Sequence, residues 1–309
     1  MPNTIATAIG QTQLYNDNVL KGFVAILAPL MSFANDVSPA PSERGYTVNV
    51  SFVPSGSSAT AWSSATGYNT FNSTRESKTV TLDQHFYVGS SLNDKEIAES
   101  SLVKLEDTAF NDGAQLATYV FQNVISKISG SNFANGYNVA SSSAYTVDDL
   151  IAVRKTAGNL KMPVTNRNVI LNVNAFHGLL KDDDLKYIYR GTAGTVENGT
   201  IQNLFGVKNV WEVNGYPTTL VSGSNKQVGV FVCPDALLFA MRYLQPQAEA
   251  ASAGVSAQPL TDPTTGITIG VRQWYDPALG QTKRVYEALW GSGVGNSSGA
   301  INLTATVDA

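Results

Sequence analysis

The sequence predicts an α+β fold built from two long β-hairpins, one long helix and a compact α/β region. Apolar residues alternate along 47–53 and 78–86, the strands of the first hairpin, and roughly 25 residues separate these strands. A connection longer than ~12–15 residues in a compact domain usually has a function. Residues 93–128 carry apolar side chains at helical spacing, and strands alternate with helices over 160–245.

Composition restricts the classes of protein to which the chain can belong. Of its 309 residues 43% are hydrophobic but only 14% are charged, against about 25% in an average globular domain. Surfaces so poor in charge are typical of proteins covered by partners, and also of secreted or sugar-binding β proteins. The net charge of −4 comes with no basic stripe, which argues against tight nucleic-acid binding but not against proximity to DNA.

The sequence shows neither the pattern of a signal peptide nor that of a membrane-spanning segment. Cys233 is the single cysteine, so no intrachain disulfide can form, as fits a reducing compartment. Asp17 and the lack of early basic residues do not match a signal peptide. The apolar run 23–34 contains Pro29 and is too short to span a bilayer. We therefore expect a protein of cytoplasmic origin without a membrane segment.

Residues 1–44 are predicted to form an N-terminal arm. Leu14, Phe23 and Leu27 lie on one side of an expected helix at 14–28, which Pro29 would end. An apolar terminal segment must pack on something, either the core of its own chain or a neighbouring subunit.

The long first hairpin, residues 45–90, carries Trp62, Tyr68 and Phe71 in a connection of small polar residues. Two strands alone are marginally stable in water. We expect a neighbouring molecule to cover these aromatic side chains.

The helix expected at 93–128 would be a spine. Asn93 is its predicted N-cap, with Glu96 completing a capping box. At 1.5 Å per residue the helix would be roughly 50 Å long, and Gly113 would bend it.

The α/β region and the second hairpin follow. Helices are predicted from Thr146 and at 174–182 and 234–243, and strands at 168–172, 207–213 and 228–232. The second hairpin spans 265–290, with a turn from Asp276 to Gly280, and its neighbour in the sheet would be the base of the first hairpin. The tail 291–309 is rich in Gly and Ser and ends in a β-prone stretch.

Residues that could perform catalysis do not form a pattern. His85 and His177 lack a companion ligand or base, Cys233 has apolar neighbours, and Asp182 to Asp184 lack the spacing of a calcium loop. Gly291 to Gly295 lacks the Lys-Ser/Thr pair of a phosphate loop. We predict that the protein is not an enzyme and has no cofactor, metal or catalytic residue.

Three segments and one motif carry a resemblance to a known family. The segments are 169–191, 199–217 and 228–244, and the motif is Arg272, Asp276, Pro277, Gly280 and Arg284 in the order R-x-x-x-D-P-x-x-G-x-x-x-R. Together with the order of elements, they resemble the major capsid proteins of tailed bacteriophages, which have the Hong Kong 97-like fold shared by encapsulins.

The resemblance implies an architecture. Residues 1–44 would be the N-terminal arm and 45–90 the extension loop. Residues 91–145 with 246–309 would form the peripheral domain, and 146–245 the axial domain. The residues expected at interfaces between subunits are Leu14, Phe23, Leu27, Trp62, Tyr68, Phe71, Arg75, Lys78, Glu99, Arg190, Arg272 and Arg284.

The function implied is that of a shell subunit enclosing the double-stranded DNA of a tailed phage. Its partners would be its own copies in hexamers and pentamers, scaffolding and portal proteins, decoration proteins and packaged DNA held without sequence specificity. It would reside in the virion after assembly in the host cytoplasm. The alternatives are an encapsulin-type shell and, from another class, a carbohydrate-binding or hydrolytic β-rich protein.

Overall fold

A computed structural model describes most of the chain. The described residues are 4–38, 47–52, 61–65, 67–68, 76–95, 102–185, 200–213, 216, 220–222, 225–252 and 254–306. The helices are α1 (Thr4–Met31), α2 (Leu102–Ser126), α3 (Val147–Asn159), α4 (Val173–Lys181) and α5 (Ala248–Ser252), with a 3-10 turn at Ser142–Ala144.

Within the described ranges, fifteen strands form three sheets. They are β1 (Ala34–Asp36), β2 (Thr47–Phe52), β3 (Glu76–Thr81), β4 (Gln84–Asn93), β5 (Gly136–Val139), β6 (Asn168–Asn172), β7 (Thr200–Leu204), β8 (Val207–Val213), β9 (Leu220–Ser222), β10 (Asn225–Val232), β11 (Leu237–Arg242), β12 (Ser256–Thr261), β13 (Thr268–Asp276), β14 (Gln281–Val294) and β15 (Ala300–Thr306).

The first sheet has six strands, and β14 is its centre. The order is β1-β11-β14-β13-β12, and β4 pairs with β14 on the other side. The long β14 reaches β13 with its first half and β11 with its second half. The turn at 277–280 joins β13 to β14, and Gly280 takes a φ of 61° there, so the predicted hairpin and its turn are confirmed.

Helices α1 and α2 cross at a very close distance beside this sheet. A Cβ atom on Gly113 of α2 would collide with the carbonyl oxygen of Val19, and one on Gly22 of α1 would collide with that of Phe110. The two glycines therefore allow the backbones to touch. Phe23 and Leu27 of α1 are fully buried beside this crossing.

The second sheet has seven strands and is covered on both faces. Its order is β5-β15-β10-β6-β8-β7, with β9 paired to β10. In β6, Ile170 faces the core of the first sheet, whereas Val169 and Leu171 face the core formed with α3 and α4. Burial on both faces explains why this strand is a continuous apolar run.

Helix α3 begins where the sequence predicts it, after Thr146, and a capping box fixes this start. The Thr146 hydroxyl accepts a hydrogen bond from the Asp149 amide, and the Asp149 carboxylate accepts one from the Thr146 amide. Asn172 caps α4 in a similar way through the Ala175 amide.

Several predicted element boundaries are wrong. Asn93 ends β4 and is followed directly by two helical residues, 94–95, whereas α2 runs from Leu102 to Ser126. Its 25 residues correspond to about 38 Å instead of 50 Å. Pro29 lies inside α1, which runs to Met31 instead of ending at 28.

Two further assignments need correction. Residues 237–242 form the buried strand β11 instead of a helix, because packing between β1 and β14 outweighs helix propensity. The predicted strand 78–86 is divided between β3, which pairs with β2, and β4, which joins the first sheet. The C-terminal strand β15 lies in the second sheet beside β10.

Candidate inter-subunit surfaces

Among the described residues, exposed aromatic side chains and Leu279 lie in three places. The first is the loop aromatic pair, Trp62 and Tyr68. The second is the side of β4 and α2, with Phe86, Tyr87, Phe110 and Tyr119, and the third is the tip of the hairpin β13–β14, with Tyr275 and Leu279. Single aliphatic residues are exposed elsewhere, namely Ile26, Ile151, Val164 and Val173.

The loop aromatic pair is held by its own small turn. Ser63 and Gly67 form an isolated β-bridge, and the Gly67 amide donates to the Ser63 carbonyl at 2.9 Å. The rings of Trp62 and Tyr68 lie 6.4 Å apart at 47°. Trp62 is 62% exposed and Tyr68 88%. Exposed aromatic groups on a fixed turn are typical of anchors that a partner surface buries.

The predicted interface residues of the arm lie elsewhere. Phe23 and Leu27 are completely buried inside the subunit against α2 and the first sheet, so their assignment to an interface between subunits is wrong. The sequence left open whether the arm packs on the core of its own chain or on a neighbouring subunit. In the structure, α1 packs on the core of its own chain. The side chain of Leu14 lies outside the described part of the chain.

Arg272 has its partners within the subunit. Its Nε donates to Glu287 at 2.7 Å, and the other oxygen of Glu287 lies 3.1 Å from the ring of His85. Glu287 is buried, so this pair binds β13, β14 and β4 together. Arg272 is therefore engaged in the sheet and is not a free interface cation.

Arg284 is also part of the subunit interior. Its guanidinium lies 5.0 Å from the ring centre of Tyr15, and only 9% of the residue is exposed. A cation over an aromatic face is favourable, more so when it is desolvated. Its predicted role at an interface is corrected to a role in holding α1 on the sheet.

A cluster of polar side chains around Tyr15 joins α1, α2 and the first sheet through hydrogen bonds. The Tyr15 hydroxyl donates to Asp112 at 2.9 Å, and Tyr286 donates to Asn16 at 2.8 Å. Burial raises the pKa of Tyr15 to about 12, so this phenol remains a donor at neutral pH. Burial also raises the pKa of Asp112, against the opposing effect of the Tyr15 hydrogen bond.

The tip of the second hairpin combines apolar and paired polar groups. Leu279 is 60% exposed, while Lys283 donates to Asp276 at 2.7 Å and Tyr275 donates to Asp94 at 2.8 Å. The Lys283 ammonium lowers the pKa of Asp276 through this hydrogen bond. Hydrogen bonds thus fix the shape of this hairpin tip. The apolar periodicity of the sequence does not reveal these bonds.

The remaining predicted interface residues are placed only in part. Lys78 lies opposite Val50 in the β2–β3 pair and is partly exposed. Phe71, Arg75, Glu99 and Arg190 fall outside the described residues.

The candidate catalytic groups are dispersed. His177 lies 3.6 Å from Glu212, and His85 belongs to the Glu287 pair on another sheet. Cys233 is buried, and burial raises the pKa of its thiol to about 11, which makes a reactive thiolate unfavourable. Asp182 accepts from the Val147 amide. Within the described ranges, no group of three or more potential ligands could hold a metal ion.

Membrane insertion through a helix finds no support in the described residues. None of the helices there is both long and apolar enough to cross a bilayer.

Solved capsid structures share this arrangement of helices and sheets. The chain matches the capsid of the Cyanophage P-SCSP1u with a TM-score of 0.56 and 16% identity, over 90% of this chain and 87% of that one. It matches the capsid of an empty GTA particle with a TM-score of 0.54 and 15% identity, over 91% and 90%. The chain has the capsid-subunit fold. The α+β, Hong Kong 97-like fold predicted from sequence is confirmed.

The capsid-subunit fold is conserved here with little sequence identity. A structure from Mycobacterium phage Che8 matches with a TM-score of 0.55 and 16% identity, over 87% of this chain and 88% of that one. No protein-family model and no curated protein matches the sequence. Sequence identity at this level is therefore too low to align individual side chains between these proteins.

Proposed function

We propose that this chain is a major capsid protein, the subunit of the icosahedral shell that encloses the double-stranded DNA of a tailed phage. The observation that carries the proposal is the loop aromatic pair, exposed and fixed by its own turn on a capsid-subunit fold. Such a feature has no use within the subunit, but it serves as an anchor on a neighbouring copy.

Assembly would be driven mainly by burial of apolar surface. Full burial of a large apolar side chain contributes about 1.5–3 kcal/mol, and Trp62 and Tyr68 are both largely exposed in the subunit. The contact is heterologous, since the loop of one copy meets a different surface of the next. Such contacts must close under symmetry, because otherwise they produce open tubes.

The partners follow from this function. They are further copies in hexamers and pentamers, a scaffolding and a portal protein, decoration proteins, and packaged DNA bound without sequence specificity. The net charge of −4 suits an inner surface that does not hold DNA tightly. The protein would assemble in the host cytoplasm and remain in the virion, without catalytic activity of its own.

The domain assignment is part of this proposal. We assign the α1 segment to the arm, the β2–β3 hairpin with its loop to the extension loop, the first sheet with α2 to the peripheral domain, and 146–245, apart from β11 of the first sheet, to the axial domain. The pairing of β15 with β10 leads us to place β15 in the axial domain.

The decisive experiment is negative-stain electron microscopy of the purified protein, alone and co-expressed with its neighbouring genes. We expect closed polyhedral shells from the wild type. The double substitution Trp62→Ala with Tyr68→Ala should leave a folded, soluble subunit that does not assemble, because it removes only exposed rings. Val164→Ala is the matched control, since Val164 is 70% exposed but lies far along the chain from the loop.

Two results would contradict the proposal. If the wild type stays a monodisperse monomer under both expression conditions, the proposal that it forms a shell is wrong. If the Trp62/Tyr68 variant forms normal shells, the proposal that the loop anchors a neighbouring copy is wrong. The encapsulin-type alternative is not proposed, because no described feature favours it. Its shells would contain protein cargo instead of nucleic acid.

A further inference from the structure

Four exposed cations lie together at one end of the second sheet. They are Arg154 and Lys155 in the second half of α3, Lys161 just after this helix, and Lys208 near the start of β8. We call these four residues the basic patch. Three separate segments of the chain supply them, and this is why the sequence shows no basic stripe.

Contacts within the subunit bring these three segments together. The Arg154 guanidinium lies over the turn between β7 and β8, where a Cβ atom on Gly206 would be 3.4 Å from its Cζ atom. The Lys208 amide donates to the Arg167 carbonyl at 2.7 Å. The guanidinium of Arg167 donates at 2.8 Å to the carbonyl of the residue after Lys161. The basic patch is therefore one continuous surface.

The charges of the basic patch are not neutralised by ion pairs within the described ranges. All ion pairs found there join other residues. Residues 150–181 and 199–211, which supply the patch, contain no Asp or Glu. The two carboxylates of α3, Asp148 and Asp149, lie in its first turn at the opposite end of the helix. The patch is thus a local positive region on a protein whose net charge is −4.

The dipole of α3 does not account for the whole patch. Cations near the carboxyl end of a helix are favourable, because the last carbonyls of the helix carry partial negative charge. Buried Arg167 already donates to the carbonyls of Met162 and Pro163 just beyond α3. Lys208 comes from a strand and has no such role. The exposed cations are therefore additional to the one that the helix end uses.

The side chains around the basic patch favour phosphate groups as its partner over a protein surface. Asn159, Asn166 and Asn203 are exposed in the same segments, and Lys, Arg and Asn are side chains that contact the phosphates of DNA. The core of a protein interface is instead depleted in Lys and enriched in aromatic residues. The exposed aromatic side chains of the described ranges all lie on other segments, and Val164 is the exposed apolar residue beside the patch.

We propose that the basic patch binds the phosphate backbone of duplex DNA without reading its sequence. Duplex DNA carries one negative charge per about 1.7 Å of its axis. Arg154 and Lys161 are two helical turns apart, about 10 Å along α3, so the patch meets several phosphates at once. The binding itself concerns the isolated subunit. The location of the patch on the inner surface of a shell rests on the proposed function.

Fluorescence anisotropy of a labelled duplex DNA of mixed sequence tests the proposal, with full-length subunits kept below the concentration at which shells form. Four phosphate contacts predict a slope of about −3.6 for the logarithm of the association constant against the logarithm of the salt concentration. Arg154→Gln with Lys155→Gln removes two contacts, so the slope should become about −1.8. The affinity should then fall about ten- to a hundredfold at about 0.1 M salt. Glutamine preserves the helix propensity at both positions.

Lys21→Gln with Lys226→Gln is the matched control for the loss of two positive charges. Both lysines are exposed and have no ion pair within the described ranges. Lys21 lies on α1, and Lys226 lies near the start of β10, about 20 Å along that strand from the end of the sheet that carries the patch. We expect this variant to keep the slope and the DNA affinity of the wild type.

Labelled poly-glutamate distinguishes DNA from an acidic protein surface. An extended polypeptide carries one charge per about 3.4 Å, half the charge density of duplex DNA, so we expect it to bind the subunit more weakly. If poly-glutamate binds at least as tightly as DNA and loses this binding in the Arg154/Lys155 variant, the partner of the patch is an acidic protein and the DNA proposal is wrong.

Two further results would contradict DNA binding by the patch. One is a wild-type subunit that does not bind DNA at about 50 mM salt, even if the protein forms shells. The other is an equal loss of affinity in the Arg154/Lys155 variant and in the Lys21/Lys226 control. If subunits bind DNA through the patch but never form shells, the patch is retained and the capsid function is wrong, so the two proposals fail separately.

Discussion

Single residues at the crossing of α1 and α2 decide how the arm is held. Gly22 and Gly113 leave no space for a side chain between the helix backbones. Beside them, Tyr15 and Asp112 form a hydrogen bond across the same contact. A side chain added at either glycine would displace the whole of α1, because closely packed interiors transmit strain.

Gly113→Ala should destabilise the subunit. The added Cβ meets the backbone of Val19, which cannot move without shifting α1, and overpacking of this kind costs about 3 kcal/mol. Gly158→Ala in α3 is the matched control, because no atom lies within 4 Å of its new Cβ. Alanine there should raise the free energy of unfolding by up to about 1 kcal/mol. Urea denaturation measures the free energy of unfolding of both variants. Equal changes in the two variants would contradict the close contact between the α1 and α2 backbones.

Asp112→Asn should change how stability depends on pH. Burial raises the pKa of Asp112 in the folded subunit, so the folded state binds the proton more strongly than the unfolded state. This group therefore stabilises the fold at low pH, and the contribution is lost as the pH rises from about 4 through the folded pKa. We expect the variant to gain stability relative to wild type between pH 4 and pH 7. A pH-independent difference in urea denaturation would contradict this.

Among the elements, α3 shows how local sequence signals fix a helix start. Thr146 and Asp149 satisfy each other's backbone amides, and Asp149 also accepts from Tyr137 of β5 at 2.9 Å. The cap thus attaches the helix to the second sheet. By contrast, β11 is an element whose neighbours decided its form, since its sequence alone indicated helix.

Thr146→Ala should cost about 1 kcal/mol of unfolding free energy, the usual value for losing an N-cap. Ser141→Ala is the control, because Ser141 precedes the 3-10 turn without a side-chain capping bond. Thermal unfolding followed by circular dichroism compares the two. A larger loss for Ser141→Ala would show that the capping box does not stabilise α3.

The whole molecule presents few charges and several exposed aromatic groups, and this sets the character of its assembly. With 14% charged residues, contacts between copies depend mainly on apolar burial. The hydrophobic driving force weakens on cooling, whereas charge contacts weaken with added salt.

Assembly should therefore depend on temperature more than on salt. We expect the yield of shells from purified subunits to rise between about 5 and 30 °C, and to change little when NaCl is raised to about 0.5 M. Light scattering with electron microscopy measures the yield. Strong inhibition by salt would show that charge pairs dominate the contacts.

The sequence by itself determined the features that arise from local pattern. The turn between β13 and β14, the helix start after Thr146 and the strands of the α/β region at 168–172 and 207–213 need only neighbouring residues. The exposure of Trp62 and Tyr68 was predicted from their polar surroundings, and the structure places both in solvent.

Only the tertiary structure decided which apolar faces are internal. Phe23, Leu27 and Arg284 have the chemistry of interface residues, but α1 packs against α2 and the sheet and removes them from the surface. The pairing of β4 with β14 was predicted from the order of the two hairpins, but the positions of β1 and β11 in the same sheet were not, because strand order depends on contacts between distant parts of the chain. The local sequence pattern specifies which side chains of a segment are apolar enough to be buried. Packing between distant parts of the chain decides which surface buries them.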